Sequence, residues 1–168
     1  MDKEVTQMTN YWLVVTTREN FNAIAEREFD VDGFRENCLK RVKAIEKEDN
    51  FICYIKKDYA FGVIYQAVSK YDPNDKDKRL EGFIFADEKR EGKKLYPLRF
   101  RTKPILIPRD KKMLDAINVI KNLPSVKNKQ DWRYYVHHSL RNISQEDFER
   151  IQSKMKKSGF FKEVKPQE

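Results

Sequence analysis

The sequence predicts one mixed α+β domain, and three features of the chain carry that expectation. Tyr11–Thr16, YWLVVT, is β-branched and aromatic almost throughout, the make-up of a strand buried on both faces. Two further apolar runs, 51–55 and 59–68, flank Lys56-Lys57-Asp58 and read as a hairpin. Near the C-terminus, Ser144 precedes a segment with Asp147 at its third helical position. Ile143, Phe148, Ile151 and Met155 share one face there up to Gly159, so a capped amphipathic helix is expected.

Between these landmarks the elements follow in order. Thr17 offers a hydroxyl to cap a helix carrying Phe21, Ile24 and Ala25 inward. Asp30-Val31-Asp32-Gly33 has turn composition, after which Phe34, Cys38, Val42 and Ile45 form one helical stripe, broken by Glu48-Asp49-Asn50. In the second hairpin strand Phe61, Val63, Tyr65 and Ala67 fall on one face, and Gly62 marks a bulge or close backbone approach. Residues 72–94 are rich in charge and turn formers and read as a mobile loop or ribbon around a short apolar piece at 82–86. Strand character returns at 96–107, with Leu98 and Phe100 on one side and Arg99, Arg101 and Lys103 on the other. That three-cation face is either a phosphate contact or a solvated sheet face. Asp110 is expected to cap a helix to Leu123, with Leu114, Ile117 and Ile120 inward and Pro124 stopping it. The segment KNKQDWRYY that follows is basic and aromatic.

A chain of 168 residues suits a single domain, and 12% aromatic residues exclude a disordered one. The net charge of +8 favours polyanionic partners, and it is unevenly spread. Residues 1–33 hold three cations against seven carboxylates, so the remainder carries +12. A highly charged surface of the kind found in heat-loving organisms accounts for the same excess. Cys38 and Cys53 stand apart with no metal-binding spacing, which suits a reducing interior. The N-terminus has no apolar signal core and no run is long enough to cross a bilayer, so a soluble, cytoplasmic protein is expected.

Catalytic signatures are absent: the chain has no glycine-rich phosphate loop, nucleophile elbow or HExxH motif. His137 and His138 are adjacent, so their side chains diverge, and one packed and one exposed imidazole are expected. No enzyme activity, metal or cofactor is predicted. Binding of an unpaired base needs an aromatic surface and polar groups at its edge. Thr16, Thr17 and Asn20 offer the polar edges, and Trp12, Phe29, Phe34, Phe100 and Trp132 are candidate walls, although strand aromatics are more often core than cage.

The succession YWLVVTTREN, DVDGFREN, EDNFICYI with FGVIYQAVSKYD, YPLRFRTKPI and DWRYYVHHSLRNISQEDFERI, from Asn10 to Ile151, resembles the EVE domain of the PUA-like superfamily, a relative of the YTH readers of methylated adenine. The resemblance implies a distorted β-barrel of about five to six strands flanked by helices, spanning about residues 10–158, with flexible tails at 1–9 and 160–168. It also implies a nucleic-acid partner, DNA or RNA, with a modified, methylated base as ligand, and no membrane. The family's pocket floor falls on Val15, Thr16 and Thr17, with Asn20 beside it and Phe100 near a wall. Arg99, Arg101 and Lys103 would flank that pocket, with Lys129 and Arg133 as further backbone contacts around Trp132. One departure is Asp32, which stands before Gly33 where many relatives carry an aromatic. A protein-interaction module that keeps the barrel without reading bases is the alternative.

Overall fold

In the computed structural model, which describes residues 8–165, β1 (Tyr11–Thr16) runs through the interior of a sheet. It pairs in parallel with β3 (Asn50–Ile55) and antiparallel with β7 (Leu140–Ile143). The crossover from β1 to β3 comprises α1 (Arg18–Glu26), β2 (Val31–Phe34), a 3-10 turn at Glu36–Cys38 and α2 (Leu39–Lys43). β4 (Ala60–Ala67) returns beside β3, and β5 (Leu98–Pro108) pairs with both β4 and β2. The strand order is therefore β2-β5-β4-β3-β1-β7, a mixed sheet curled into a half-barrel. Two short strands lie off this path: β6 (Leu114–Asp115) on β4 and β8 (Phe161–Glu163) on β5. Helices α3 (Lys78–Glu81), α4 (Ala86–Glu91), α5 (Ile117–Lys121), α6 (Trp132–Tyr135) and α7 (Gln145–Lys157) complete the α+β fold.

Strict alternation along β1 divides the core in two. Trp12 and Val14 face a cluster with Phe21, Phe34, Phe51, Tyr65 and Phe100, while Leu13 and Val15 face one with Tyr54, Phe61, Trp132, Phe148 and Ile151. Several expectations hold in detail. The Thr17 hydroxyl accepts from the Asn20 amide, and the Ser144 hydroxyl from the Asp147 amide, starting α1 and α7. Gly62 is the bulge: Cys53 pairs with Val63 but Tyr54 with Phe61, and a Cβ on Gly62 would lie 2.7 Å from the Phe21 ring.

That bulge corrects the expectation that Phe61 shares a face with Val63, Tyr65 and Ala67, because the extra residue turns Phe61 to the other cluster. The turn expected at 30–33 is instead β2, whose Asp32 is held inside by hydrogen bonds while the strand pairs with β5. Phe34 accordingly belongs to β2, and only Cys38 and Val42 of its stripe lie in the 3-10 turn and α2, although all four residues are buried. The segment 72–94 is built into the fold. Leu80, Phe83 and Phe85 are buried, and Gly92 ends α4 at φ +68°, a conformation that favours glycine. No helix runs from Asp110. Lys111 has φ +59°, Leu114 joins β6 opposite Phe61, and helix resumes only at α5. The tail expected at 160–168 is strand over β8, which covers the β5 edge at Leu106–Pro108; residues 1–7 and 166–168 lie outside the described part. Both His137 and His138 are exposed, their rings 5.3 Å apart. Among the described residues no helix is long and apolar enough to cross a membrane.

Candidate nucleic-acid interface

The end of β1 passes directly into α1 because Thr17 stays extended (φ −89°, ψ 160°) while its hydroxyl satisfies the Asn20 N–H at 3.2 Å. This turns the Asn20 side chain inward, to 4% exposure. Its amide nitrogen donates to the Tyr96 hydroxyl at 3.2 Å and to Asp87 Oδ2 at 3.3 Å, while Tyr96 donates to the same carboxylate at 2.5 Å. The Asn20 carbonyl oxygen is buried without a hydrogen-bond partner among the described residues. Such an acceptor costs about 1–3 kcal/mol, which makes it the least satisfied polar group at the junction. Tyr96 is sandwiched between Phe85, at 4.7 Å, and the Arg35 guanidinium, at 5.1 Å. Burial and the Asp87 carboxylate both push its phenol up. Below, a Cβ on Gly33 would meet the Phe85 ring at 3.2 Å and the Tyr96 carbonyl at 3.3 Å. The α4 segment therefore roofs the junction closely.

The expected aromatic walls lie deeper. Phe34 and Phe100 stack at 5.8 Å and 14°, and Phe51 bridges Phe100 to Tyr65 with centroid distances of 5.5 and 5.2 Å. Trp12 joins the same cluster and donates its indole N–H to Asp49 at 3.0 Å. These rings fill one another's space within the core. Val15 and Trp132 face the opposite cluster, where Tyr59 meets Trp132 edge-on and Arg133 lies 5.0 Å over its ring. Of the candidate pocket residues, then, Thr16, Thr17 and Asn20 gather at the junction and Trp12, Phe34 and Phe100 on one side of the sheet. Val15 and Trp132 are kept apart from them by the sheet itself. Asp32 is buried beside the stack. Its carboxylate accepts from the Gly33 amide at 2.7 Å and from the Tyr65 hydroxyl, yet burial outweighs both bonds and pushes its pKa up to about 6.

The cations separate in the same way. Arg99 is buried against Glu88 at 2.6 Å and donates to the carbonyls of Leu80, Phe83 and Tyr96. Arg101 lies 3.2 Å from Asp75 and 3.7 Å from Asp77. Lys103 is exposed and has no carboxylate partner among the described residues, and Lys129 and Arg133 are exposed around α6.

Lys103 opens onto a feature the sequence reading missed. A groove of about 1270 Å³ runs between α1 and the second half of β5, and extends to residues 164–165. Seven Lys or Arg line it against three carboxylates. Arg18, Arg27 and Arg79 are paired with Asp58, Asp30 and Asp77, whereas Lys103, Arg109, Lys111 and Lys165 have no such partner among the described residues. Three of these lie on or just after β5 and the fourth, Lys165, arrives from beyond β8, so no local motif announces them together. The available signal was the spacing of Arg18 and Asn22, one turn apart on α1.

Comparison with known proteins gives this arrangement a context. The family model described as the EVE domain matches residues 10–154. A UPF0310 protein of Pyrococcus abyssi is 28% identical over 154 residues, covering 86% of this chain and 98% of the relative. One from Pyrococcus horikoshii is 28% identical over 147 residues, covering 84% and 96%. Among solved structures, the Pho92 YTH domain in complex with m6A is similar with a TM-score of 0.61 at 12% identity, covering 91% of this chain and 89% of that one. The Mmi1 YTH domain in complex with RNA gives 0.55 at 14% identity, with 89% and 79% covered. At these identities the likeness is one of fold.

Proposed function

The chain belongs to the EVE domain family, and from that premise we propose that it binds nucleic acid and recognises a modified, methylated base in DNA or RNA. The observation that carries this reading is Asn20, a buried amide at the β1–α1 junction whose carbonyl oxygen has no partner among the described residues and whose nitrogen is held by Tyr96 and Asp87. An amide presents a donor and an acceptor side by side, the pattern that pairs with the edge of a base. The base enters where Tyr96 and Asp87 now roof the junction and exchanges their hydrogen bonds for its own. Thr16 and Thr17 line the entrance, and Trp12 and the Phe34–Phe100 stack support the floor. Removing a base from its stack costs a few kcal/mol, so phosphate contacts supply most of the affinity. Lys103, exposed on β5 and without a carboxylate partner among the described residues, is one such contact. The reading is of a non-catalytic binding module.

The test is binding of oligonucleotides with and without N6-methyladenine or 5-methylcytosine, by wild type and Asn20→Ala, with thermal unfolding as the control for folding. Wild type is expected to prefer one methylated form about 5- to 100-fold, the range one well-placed amide pair supplies. Asn20→Ala should abolish that preference and still bind. An unchanged preference in Asn20→Ala would overturn the assignment of this residue.

A second reading is favoured by one observation: Phe34 and Phe100 stack on each other, and Asp32 uses both carboxylate oxygens within the protein. A protein-interaction module of the same fold needs no open cage, and it predicts no oligonucleotide binding at any salt concentration.

A further inference from the structure

The groove between α1 and β5 uses none of the residues proposed above to hold the base. Its floor is apolar and half-buried, formed by Ala25, Pro104, Ile107 and Met113. Its rim carries the four cations that lack carboxylate partners among the described residues, from two strands' worth of separate chain: Lys103 on β5, Arg109 and Lys111 just beyond it, and Lys165 after β8. At about 1270 Å³ it exceeds the roughly 300–1,000 Å³ of ordinary small-molecule sites, so a polymer fills it better than a metabolite. An apolar floor between cationic rims suits an unpaired strand, with bases in apolar contact with the floor and phosphates along the rim. A duplex keeps its bases inside and would leave that floor uncovered. The groove is also continuous with the junction: Thr17 caps α1, and Arg18, the next residue, already lines the groove.

We infer that this groove is the track for the single-stranded sugar-phosphate backbone flanking the recognised base, with Lys103, Arg109, Lys111 and Lys165 neutralising its phosphates. The inference rests on the proposal that the protein binds nucleic acid, and it adds where the strand runs and that the strand is unpaired. It places the base at the N-terminal end of α1, at Asn20, and the backbone along the side of α1 that carries Arg18 and Asn22.

The experiment measures affinity against salt for a single-stranded oligonucleotide and for its duplex, using wild type, Lys103→Glu/Lys111→Glu, Asn20→Ala, and Lys47→Glu as an exposed cation outside the groove. Each lost phosphate contact lowers the slope of log K against log salt by about 0.7 for a single strand, so the double variant should flatten it by about 1.4. It should weaken methylated and unmethylated strands equally, on the order of tenfold or more, whereas Lys47→Glu keeps the wild-type slope. Asn20→Ala should change base preference and leave the slope alone. If wild type binds but the double variant matches it in affinity and slope, the groove is excluded while base reading stands. Duplex binding as tight as single-strand binding, with the same slope loss, would exclude the unpaired strand. If wild type binds no oligonucleotide at all, the functional reading fails and this inference with it.

Discussion

Glu88 and Arg99 meet at 2.6 Å with side chains only 3% and 8% exposed, so a full ion pair is enclosed where the sequence promised a loop and a cationic sheet face. The same carboxylate accepts from the backbone amides of Phe85, Leu95 and Tyr96, which ties α4 to the start of β5.

Removing the negative partner should therefore be costly. Glu88→Gln leaves a guanidinium buried without its counter-charge, a change worth about 3–5 kcal/mol. For a domain of this size the melting temperature should fall on the order of 10 °C by calorimetry. Replacing both residues, Glu88→Gln with Arg99→Met, should recover much of the loss. A single variant melting within a degree or two of wild type would mean that water reaches the pair.

Gly62 supports a second prediction. Its missing side chain leaves room for the Phe21 ring and for Ile55, whose atoms would sit 2.7–2.8 Å from a Cβ. Gly62→Ala should destabilise by about 1–3 kcal/mol through overpacking, read as a lower urea midpoint at unchanged slope. Phe21→Leu in the same background should relieve part of it, since the smaller side chain vacates that space.

Asp32 gives the protein a pH dependence of definite sign. Burial pushes its pKa up to about 6, above the usual value of about 4 that it regains on unfolding. Between those values the folded state keeps a proton that the unfolded chain releases, so this group's contribution to stability falls as pH rises through the window. The decline is on the order of 3 kcal/mol, complete above the folded value and absent below the unfolded one. Asp32→Asn mimics the protonated form and still offers an acceptor to Gly33, so its stability should vary less than wild type from pH 4 to 7. Denaturation at several pH values checks this, and a steeper profile for Asp32→Asn would refute it.

Much of the fold was legible because it rests on local rules. The Thr17 and Ser144 caps and the limits of β1 each follow from side chains within a few residues of one another, and the Gly62 bulge from a lone glycine in a strand pattern. The misreadings came from partners distant in the chain. Nothing near Asp32 reveals Tyr65, 33 residues on, whose hydroxyl lets a turn-like DVDG lie as a strand. Leu114 has helical spacing with Ile117, but its pairing opposite Phe61 on β4 prevails. The site followed the same division. Thr17 and Asn20 were legible from a cap and an amide one turn later, whereas Arg99 reads as a surface cation until Glu88 is brought across to it. Lys111 and Lys165 reach one groove only after the β5 edge is covered from the C-terminal side.

The alternation along β5 has a consequence for insertions and deletions. Leu98 and Phe100 enter the aromatic core while Arg99 enters the Glu88 enclosure, and β2 fixes their alignment residue by residue. Sliding this ribbon by one notch would drive a guanidinium into the rings and a phenyl group against a carboxylate, two penalties that reinforce each other. One added residue at the exposed Gly92, Lys93 or Lys94 should thus be absorbed by the connection. The same addition between Leu98 and Lys103 would invert everything downstream of it, and the chain would have no neighbouring frame in which to recover.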